Sequence, residues 1–358
     1  MKPWPDNRIQ ELLGIEVPII QAPMAGPVLS DMVVAVSLAG GLGSLPCALL
    51  NAEQIRSEFT LIRQGSSRPV NLNFFCHMPP AFDQEREIRW RKELERYYLE
   101  LDIDPQAPIP GSNRTPFDEA MCDLVADLKP EVVSFHFGLP DRTLLARVKA
   151  TGAKVLSSAT SVDEARWLEQ EGCDAIIAQG AEAGGHRGMF MSDDIATQIG
   201  TMALVPQVVD AVSVPVIAAG GIGDARGIVA AFALGASAVQ IGTAYLFCPE
   251  AKLSLVHREA LRQSKSDGTA LTNVFTGRPA RGIVNRLMRE VGPISDRVPT
   301  FPLAGGALVP LRSKSEPLGS SDFVALWSGQ AAALGRELPA GELTRRLAEE
   351  ALAKLSGR

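Results

Sequence analysis

Asp174-Ala175-Ile176-Ile177-Ala178-Gln179-Gly180-Ala181-Glu182-Ala183-Gly184-Gly185-His186-Arg187-Gly188 joins two kinds of sequence. Ala175 to Ala178 is apolar at every position rather than at alternate ones, as in a strand buried on both faces of a parallel sheet. The continuation carries four glycines, a carboxylate, a histidine and an arginine with almost no apolar residue between them. Glycine costs roughly 0.5–1 kcal/mol relative to alanine wherever regular structure could form. A loop so rich in it implies that something approaches the backbone closely, beside an imidazole.

Working outward, seven more runs of the same kind flank this one. They are Pro18 to Met24, Gly43 to Leu45, Pro69 to Phe75, Val132 to Phe137, Lys154 to Ser158, Pro215 to Ala219 and Ala238 to Gly242. Helix-period segments separate them, capped at Ser30 or Asp31, Asn51, Asp141 and Ser161. Eight buried strands, each followed by a helix, predict an α/β fold of the (β/α)8 TIM-barrel type. A doubly wound open sheet is the rival. It is weakened because Ala22-Pro23-Met24-Ala25-Gly26 stands where a glycine-rich dinucleotide fingerprint would follow the first strand.

Two regions break the alternation. Residues 76–115 form a proline-punctuated insertion around one charged helix, Gln84 to Leu101, expected as a solvated element over the barrel mouth. After Leu246 the expectation is a long helix from Pro249 to Lys265, then an irregular region around Thr276-Gly277-Arg278-Pro279-Ala280-Arg281-Gly282. Helices are expected from Ser321 or Asp322 through Leu334 and from Glu342 to Leu355. The barrel is thus assigned residues 1–247 and 322–358, and a small cap residues 248–321.

Composition narrows the function. Hydrophobic residues make up 46% and charged residues 21%, as in a soluble globular enzyme. A net charge of −6 with no basic stripe argues against nucleic acid, and any anionic substrate must be attracted by local groups. The five cysteines form no CxxC pair, so neither a disulfide framework nor a metal site is suggested. No apolar run is long enough to span a bilayer, and a cytoplasmic location is expected.

In such barrels the chemistry sits on the loops after the strands. Gly220-Gly221-Ile222-Gly223-Asp224 and Gln240-Ile241-Gly242-Thr243 end the last two strands, where phosphate sites of these barrels often form at a helix N-terminus. Asn73, Gln179 and Gln240 add amides that donate and accept, suited to a flavin ring edge. At least one of them is expected merely to satisfy the barrel backbone. One phosphate site and an amide-lined pocket favour FMN over a dinucleotide. His186 is the reactive candidate, being the only one of the four histidines in a loop held open by glycines. His136 reads as a packed core histidine and Glu182 as a support for the loop.

These motifs resemble the nitronate monooxygenases, formerly 2-nitropropane dioxygenases, and most of all their class I bacterial members. Gln21 to Gly26, Asn71-Leu72-Asn73-Phe74-Phe75, Gln179 to Gly188, Ala218 to Asp224, Gln240 to Thr243, Gly277 to Gly282 and Leu326-Trp327-Ser328-Gly329-Gln330 carry the resemblance over nearly the whole chain. It implies an FMN enzyme that oxidises alkyl nitronates such as propionate 3-nitronate with O2, through a flavin semiquinone, to a carbonyl compound and nitrite. The family's FMN contacts fall on Met24, Asn73, Gln179, Gly184, Gly221, Gln240, Ile241, Gly242 and Thr243, and its catalytic histidine on His186. The partners implied are the anionic nitronate and O2, with a homodimer left open. The nearest rival is an NAD(P)H-dependent FMN reductase on the same barrel, an enoyl-acyl-carrier-protein or quinone reductase. More distant are a flavin-free isomerase or lyase and a non-catalytic binding barrel.

Overall fold

A computed structural model describes residues 4–81, 83–112, 114–264 and 268–357. Eight parallel strands form the main sheet: β1 (Ile19–Gln21), β2 (Gly43–Pro46), β3 (Val70–Phe75), β4 (Val132–His136), β5 (Lys154–Ala159), β6 (Ala175–Gln179), β8 (Val216–Ala219) and β9 (Ala238–Ile241). Their order is β1-β9-β8-β6-β5-β4-β3-β2. A single parallel bridge from Ile20 to Leu42 brings the two ends together, so the sheet closes into the expected barrel.

Strand interiors are buried on both faces: Ile20, Ile177 and Ile217 fill the lumen side, while Ile19, Ile176 and Val239 pack beneath the outer helices. Several ring helices begin at side-chain caps, but Ser30–Leu38 does not: Leu29 stands at its N-cap, and the cap expected from Ser30 or Asp31 is not formed. Asn51 and Gln54 form a reciprocal capping box at the helix Ala52–Gly65, and Ser161 and Asp224 cap Val162–Gln170 and Ala225–Ala233. Each such cap contributes about 1 kcal/mol.

β9 is followed only by a short 3-10 turn, Thr243–Phe247. The last helical slot is filled by Ala340–Leu355, packed between Ser30–Leu38 and Ala225–Ala233. Its buried stripe, Leu343, Leu347 and Ala351, has the spacing of one helix face. Gly341 lets its backbone approach Ala35, whose carbonyl oxygen would lie 2.9 Å from an added Cβ.

A second hydrophobic cluster lies outside the barrel. The helix Gln84–Glu100 is present, but it is not merely solvated. Trp90, Leu94, Tyr97 and Tyr98 are buried against Phe275, Leu287, Met288 and Leu311. Trp90 Nε1 donates to the Ala304 carbonyl at 3.2 Å, and the Tyr98 hydroxyl to that of Ala307 at 2.6 Å.

Two further helix expectations are corrected. Leu255–Arg262 replaces the long helix from Pro249, because Ser254 accepts from the His257 N–H and starts the helix there. The expected end at Lys265 lies outside the described residues. No helix runs from Ser321 to Leu334. Ile283 donates to the Leu326 carbonyl and Ser328 to that of Arg281, so this stretch lies beside a strand, with only a 3-10 turn at Ala332–Leu334.

That strand belongs to a small sheet of three, β10 (Thr269–Thr272), β11 (Ala280–Ile283) and β7 (Gly185–His186). The glycine-rich loop after β6 is therefore partly a strand. It pairs Ala280 with His186 and Arg281 with Gly185. Among the described residues no helix is long and apolar enough to cross a membrane.

Candidate active site

A cavity of about 400 Å3 opens at the carboxyl ends of the barrel strands. Met24, Asn73, Gln179, Gly184, His186, Gly221, Gln240, Gly242 and Thr243 all line it. Ile241 does not: its side chain is fully buried in the core.

One end of the cavity is built from backbone. Gly220 and Gly221 turn with φ of 108° and 71°, angles an L side chain rarely adopts. The helix that follows does not offer its N-terminus, since the Asp224 carboxylate takes the Arg226 and Gly227 N–H groups. The donors left are in the turns. Among the described residues the N–H groups of Gly221, Gly242 and Thr243 give no hydrogen bond to the protein. The Thr243 hydroxyl accepts from the Gly329 N–H at 2.9 Å, closing the segment after Trp327 over this end.

The three amides behave differently. Gln179 is spent on its own loop, donating to the His186 carbonyl at 3.0 Å and accepting from the Gly188 N–H at 2.7 Å. Asn73 donates to the Ser134 hydroxyl at 3.0 Å. Gln240 alone leaves a buried oxygen, Oε1, without a partner. Such an orphan costs about 1–3 kcal/mol, and it marks where a ligand donor belongs. Gly184 serves close packing, since a Cβ there would stand 2.5 Å from the Gly329 nitrogen.

The other end is built from side chains around His186. Its ring stands among Phe75, Phe137, Phe301 and Trp327, with centroid separations of 6.0, 5.9, 5.3 and 5.6 Å. Its Nε2 lies 3.0 Å from the Thr276 hydroxyl. Burial, and then the charges of Arg114, His136 and Arg278, hold its pKa well below the ordinary 6.5. The imidazole is therefore neutral at pH 7.

His136 is a cavity residue rather than a core one. Its Nδ1 is 3.0 Å from the Ser158 hydroxyl and its Nε2 is 3.2 Å from the His186 carbonyl oxygen. Burial pushes its pKa down to about 3. The chain turns sharply just after it, with Phe137 at φ 69° and Gly138 at φ 87°. A left-handed conformation costs a non-glycine residue roughly 1–2 kcal/mol, and Phe137 holds it inside the aromatic cluster.

Arg187 is not a surface neighbour of the histidine but is fully buried. It clamps the carbonyls of Gln179 and Gly180 at 2.5 and 2.7 Å and Gln198 Oε1 at 2.8 Å. Burial lowers its pKa to about 9. Glu182 accepts from both the N–H and the hydroxyl of Thr201 at 2.8 Å, the supporting role expected of it.

Arg114, from the insertion, also lines the cavity and has no ion-pair partner among the described residues. Arg312 lines it too, 4.0 Å from Glu316. Neither arginine was singled out from the sequence, because an isolated arginine in an irregular region carries no pattern.

The family model described as nitronate monooxygenase matches residues 6–350. The chain belongs to the nitronate monooxygenase family. A nitronate monooxygenase of Pseudomonas aeruginosa is 42% identical over 346 residues, covering 96% of this chain and 99% of that protein. The crystal structure of a nitroalkane oxidase from Streptomyces ansochromogenes superposes with a TM-score of 0.87 at 37% identity, over 98% of this chain and 99% of that one. FabK from Thermotoga maritima gives a TM-score of 0.73 at 27% identity, over 98% and 97%. Membership makes the chain an oxidoreductase that acts on nitronates, in a group of flavin-dependent enzymes.

Proposed function

We propose that the chain uses FMN to oxidise alkyl nitronates with O2, giving a carbonyl compound and nitrite. The observation that carries this reading is the unpaired Arg114 guanidinium lining the same cavity as His186. A chain of net charge −6 has placed an uncompensated cation where a small anion would bind.

The residues present fit FMN. Gly221, Gly242 and Thr243 offer free N–H groups to a phosphate, and Gln240 Oε1 offers an acceptor to a ring N–H. Met24, Asn73 and Gly184 complete the wall. When bound, FMN would supply the redox capacity that no side chain here has.

The protein's own part is position and charge. Arg114 draws in and orients the nitronate, and Phe75 and Trp327, which line the cavity beside His186, keep water away from it. A nitronate is already an anion, so no proton has to leave it. His186, held neutral, acts as base only when a neutral nitroalkane is turned over.

The test is a visible spectrum of the purified protein, followed by anaerobic addition of propionate 3-nitronate, NADH or NADPH. The expected result is a yellow protein reduced by the nitronate alone. A colourless protein rejects the FMN reading, and rapid bleaching by NADH or NADPH replaces it with a reductase.

A further inference from the structure

We infer that Thr276, brought in by the cap, fixes His186 in the tautomer protonated on Nε2 and leaves the Nδ1 lone pair as the base that faces the cavity. The kinetic consequence rests on the function proposed above, whereas the tautomer does not.

Two distances decide the direction of the bonds. The Thr276 hydroxyl lies 3.0 Å from His186 Nε2 and 3.3 Å from the Arg278 carbonyl oxygen. The carbonyl has no proton to give, so both contacts are hydrogen bonds at once only if the single hydroxyl proton goes to it. The hydroxyl oxygen then meets His186 with a lone pair, and Nε2 must carry the hydrogen. A neutral imidazole has only one such hydrogen, which leaves Nδ1 unprotonated. Among the described residues Nδ1 has no protein partner, and it is not one of the sealed, unsatisfied atoms. It opens on the cavity that His186 lines.

Other contacts keep this arrangement from depending on a ligand. Thr276 is buried, and its turn is held by N–H groups of Thr276 and Gly277 donating to the Asn273 carbonyl at 3.3 and 2.8 Å. Gly277, at φ 90°, packs so closely that an added Cβ would stand 2.2 Å from the Pro299 carbonyl oxygen. The His186 backbone is fixed from the opposite side, because Gln179 and His136 both donate to its carbonyl at 3.0 and 3.2 Å.

With a neutral nitroalkane the step balances without a further reactant. The Cα–H bond breaks, its proton forms an N–H bond at His186 Nδ1, and the electron pair stays behind as the nitronate. The Nε2–H bond to Thr276 supports the imidazolium so formed. Thr276 touches no substrate in this scheme and is a positioning residue.

The test uses the holoenzyme labelled with 15N in histidine, with the His186 signals identified by their loss in His186→Asn. The expected spectrum has His186 protonated at Nε2. Thr276→Val, which keeps the shape but removes the hydroxyl, is expected to mix the tautomers. It should lower kcat for nitroethane about 10- to 100-fold with KM little changed, and leave nitronate oxidation within about 3-fold. Thr276→Ser is expected to restore both readouts. A wild-type spectrum protonated at Nδ1, or a valine variant with unaltered spectrum and nitroethane kinetics, overturns the inference. If the wild type turns over neither nitroethane nor nitronate, the functional reading falls, while the spectrum still decides the tautomer.

Discussion

The two ends of the cavity are made of different material. At the ends of β8 and β9 the donors are main-chain N–H groups of Gly221, Gly242 and Thr243, supplied by residues close to the strands themselves. At the end of β6 they are side chains, and His186 is completed by Thr276, ninety positions along the chain. The backbone end can be disturbed only by adding atoms, the side-chain end only by removing them. On the function proposed above, the contrast separates holding a cofactor from acting on a substrate, and substitutions can challenge that separation.

The largest effect is expected at the histidine. His186→Asn should lower kcat/KM for neutral nitroalkanes by about 10²–10⁴-fold while the protein still purifies with its flavin. Loss of flavin in that variant would mean that the two ends are not independent. Next comes the cation: Arg114→Met should raise KM for nitronates about 10-fold or more, the worth of a charged hydrogen bond, with flavin content unchanged. An unchanged KM removes Arg114 from anion binding.

The backbone end should respond more mildly. Gly242→Ala places a methyl in ordinary contact with Ala22 and Met24, at 3.5 and 3.6 Å, and φ at this position is −108°, which alanine accepts. FMN affinity should fall roughly 3- to 10-fold as one donor is hindered, with no change in melting temperature. Equal FMN affinity would place the phosphate elsewhere.

The smallest effect is on stability against pH. All four histidines are held below their ordinary 6.5, with burial the leading cause at each. The unfolded chain therefore takes up protons near pH 6.5 that the folded chain refuses until about pH 4 at His77 and about pH 3 at His136. Stability must fall as pH drops through that window. His77→Phe, in a pocket of Phe75, Phe137 and Phe301, should flatten the fall in urea midpoint between pH 7 and 5 by at most about one proton's worth. An identical slope would show that His77 already charges in the folded state.

What could be read from the chain follows the same division. Ala175–Gln179 and Val216–Ala219 were legible because a strand buried on both faces has no room for polar alternation. Gly220 to Asp224 was legible as a turn, but not that Asp224 would spend the helix N-terminus on its own cap. The stripe Trp90, Leu94, Tyr97 and Tyr98 has helical spacing, yet the charges between its members disguised a buried face. The expected helix through Leu334 failed because Leu326 and Ser328 hydrogen-bond to β11, a partner that local propensity does not reveal. Gln179 was expected to face the cofactor from its place at the end of β6 and from the family resemblance, and it lines the cavity; that a loop folds back to within hydrogen-bond reach of its amide is a matter of tertiary structure. Arg187 and Thr276 were hidden for the same reason.

The pairing of β7 with β11 bears on how the protein could have been assembled. A segment inserted after a complete barrel would be a removable accessory, open to exchange between relatives like any decoration on a scaffold. Here the inserted segment supplies the neighbour strand that gives the histidine its backbone partner. Excising it would strip one wall from the reaction chamber, and grafting it elsewhere would carry a strand with nothing to pair. A change to the strand Ala280–Ile283 is therefore expected to reach the histidine directly, through the backbone that pairs with it.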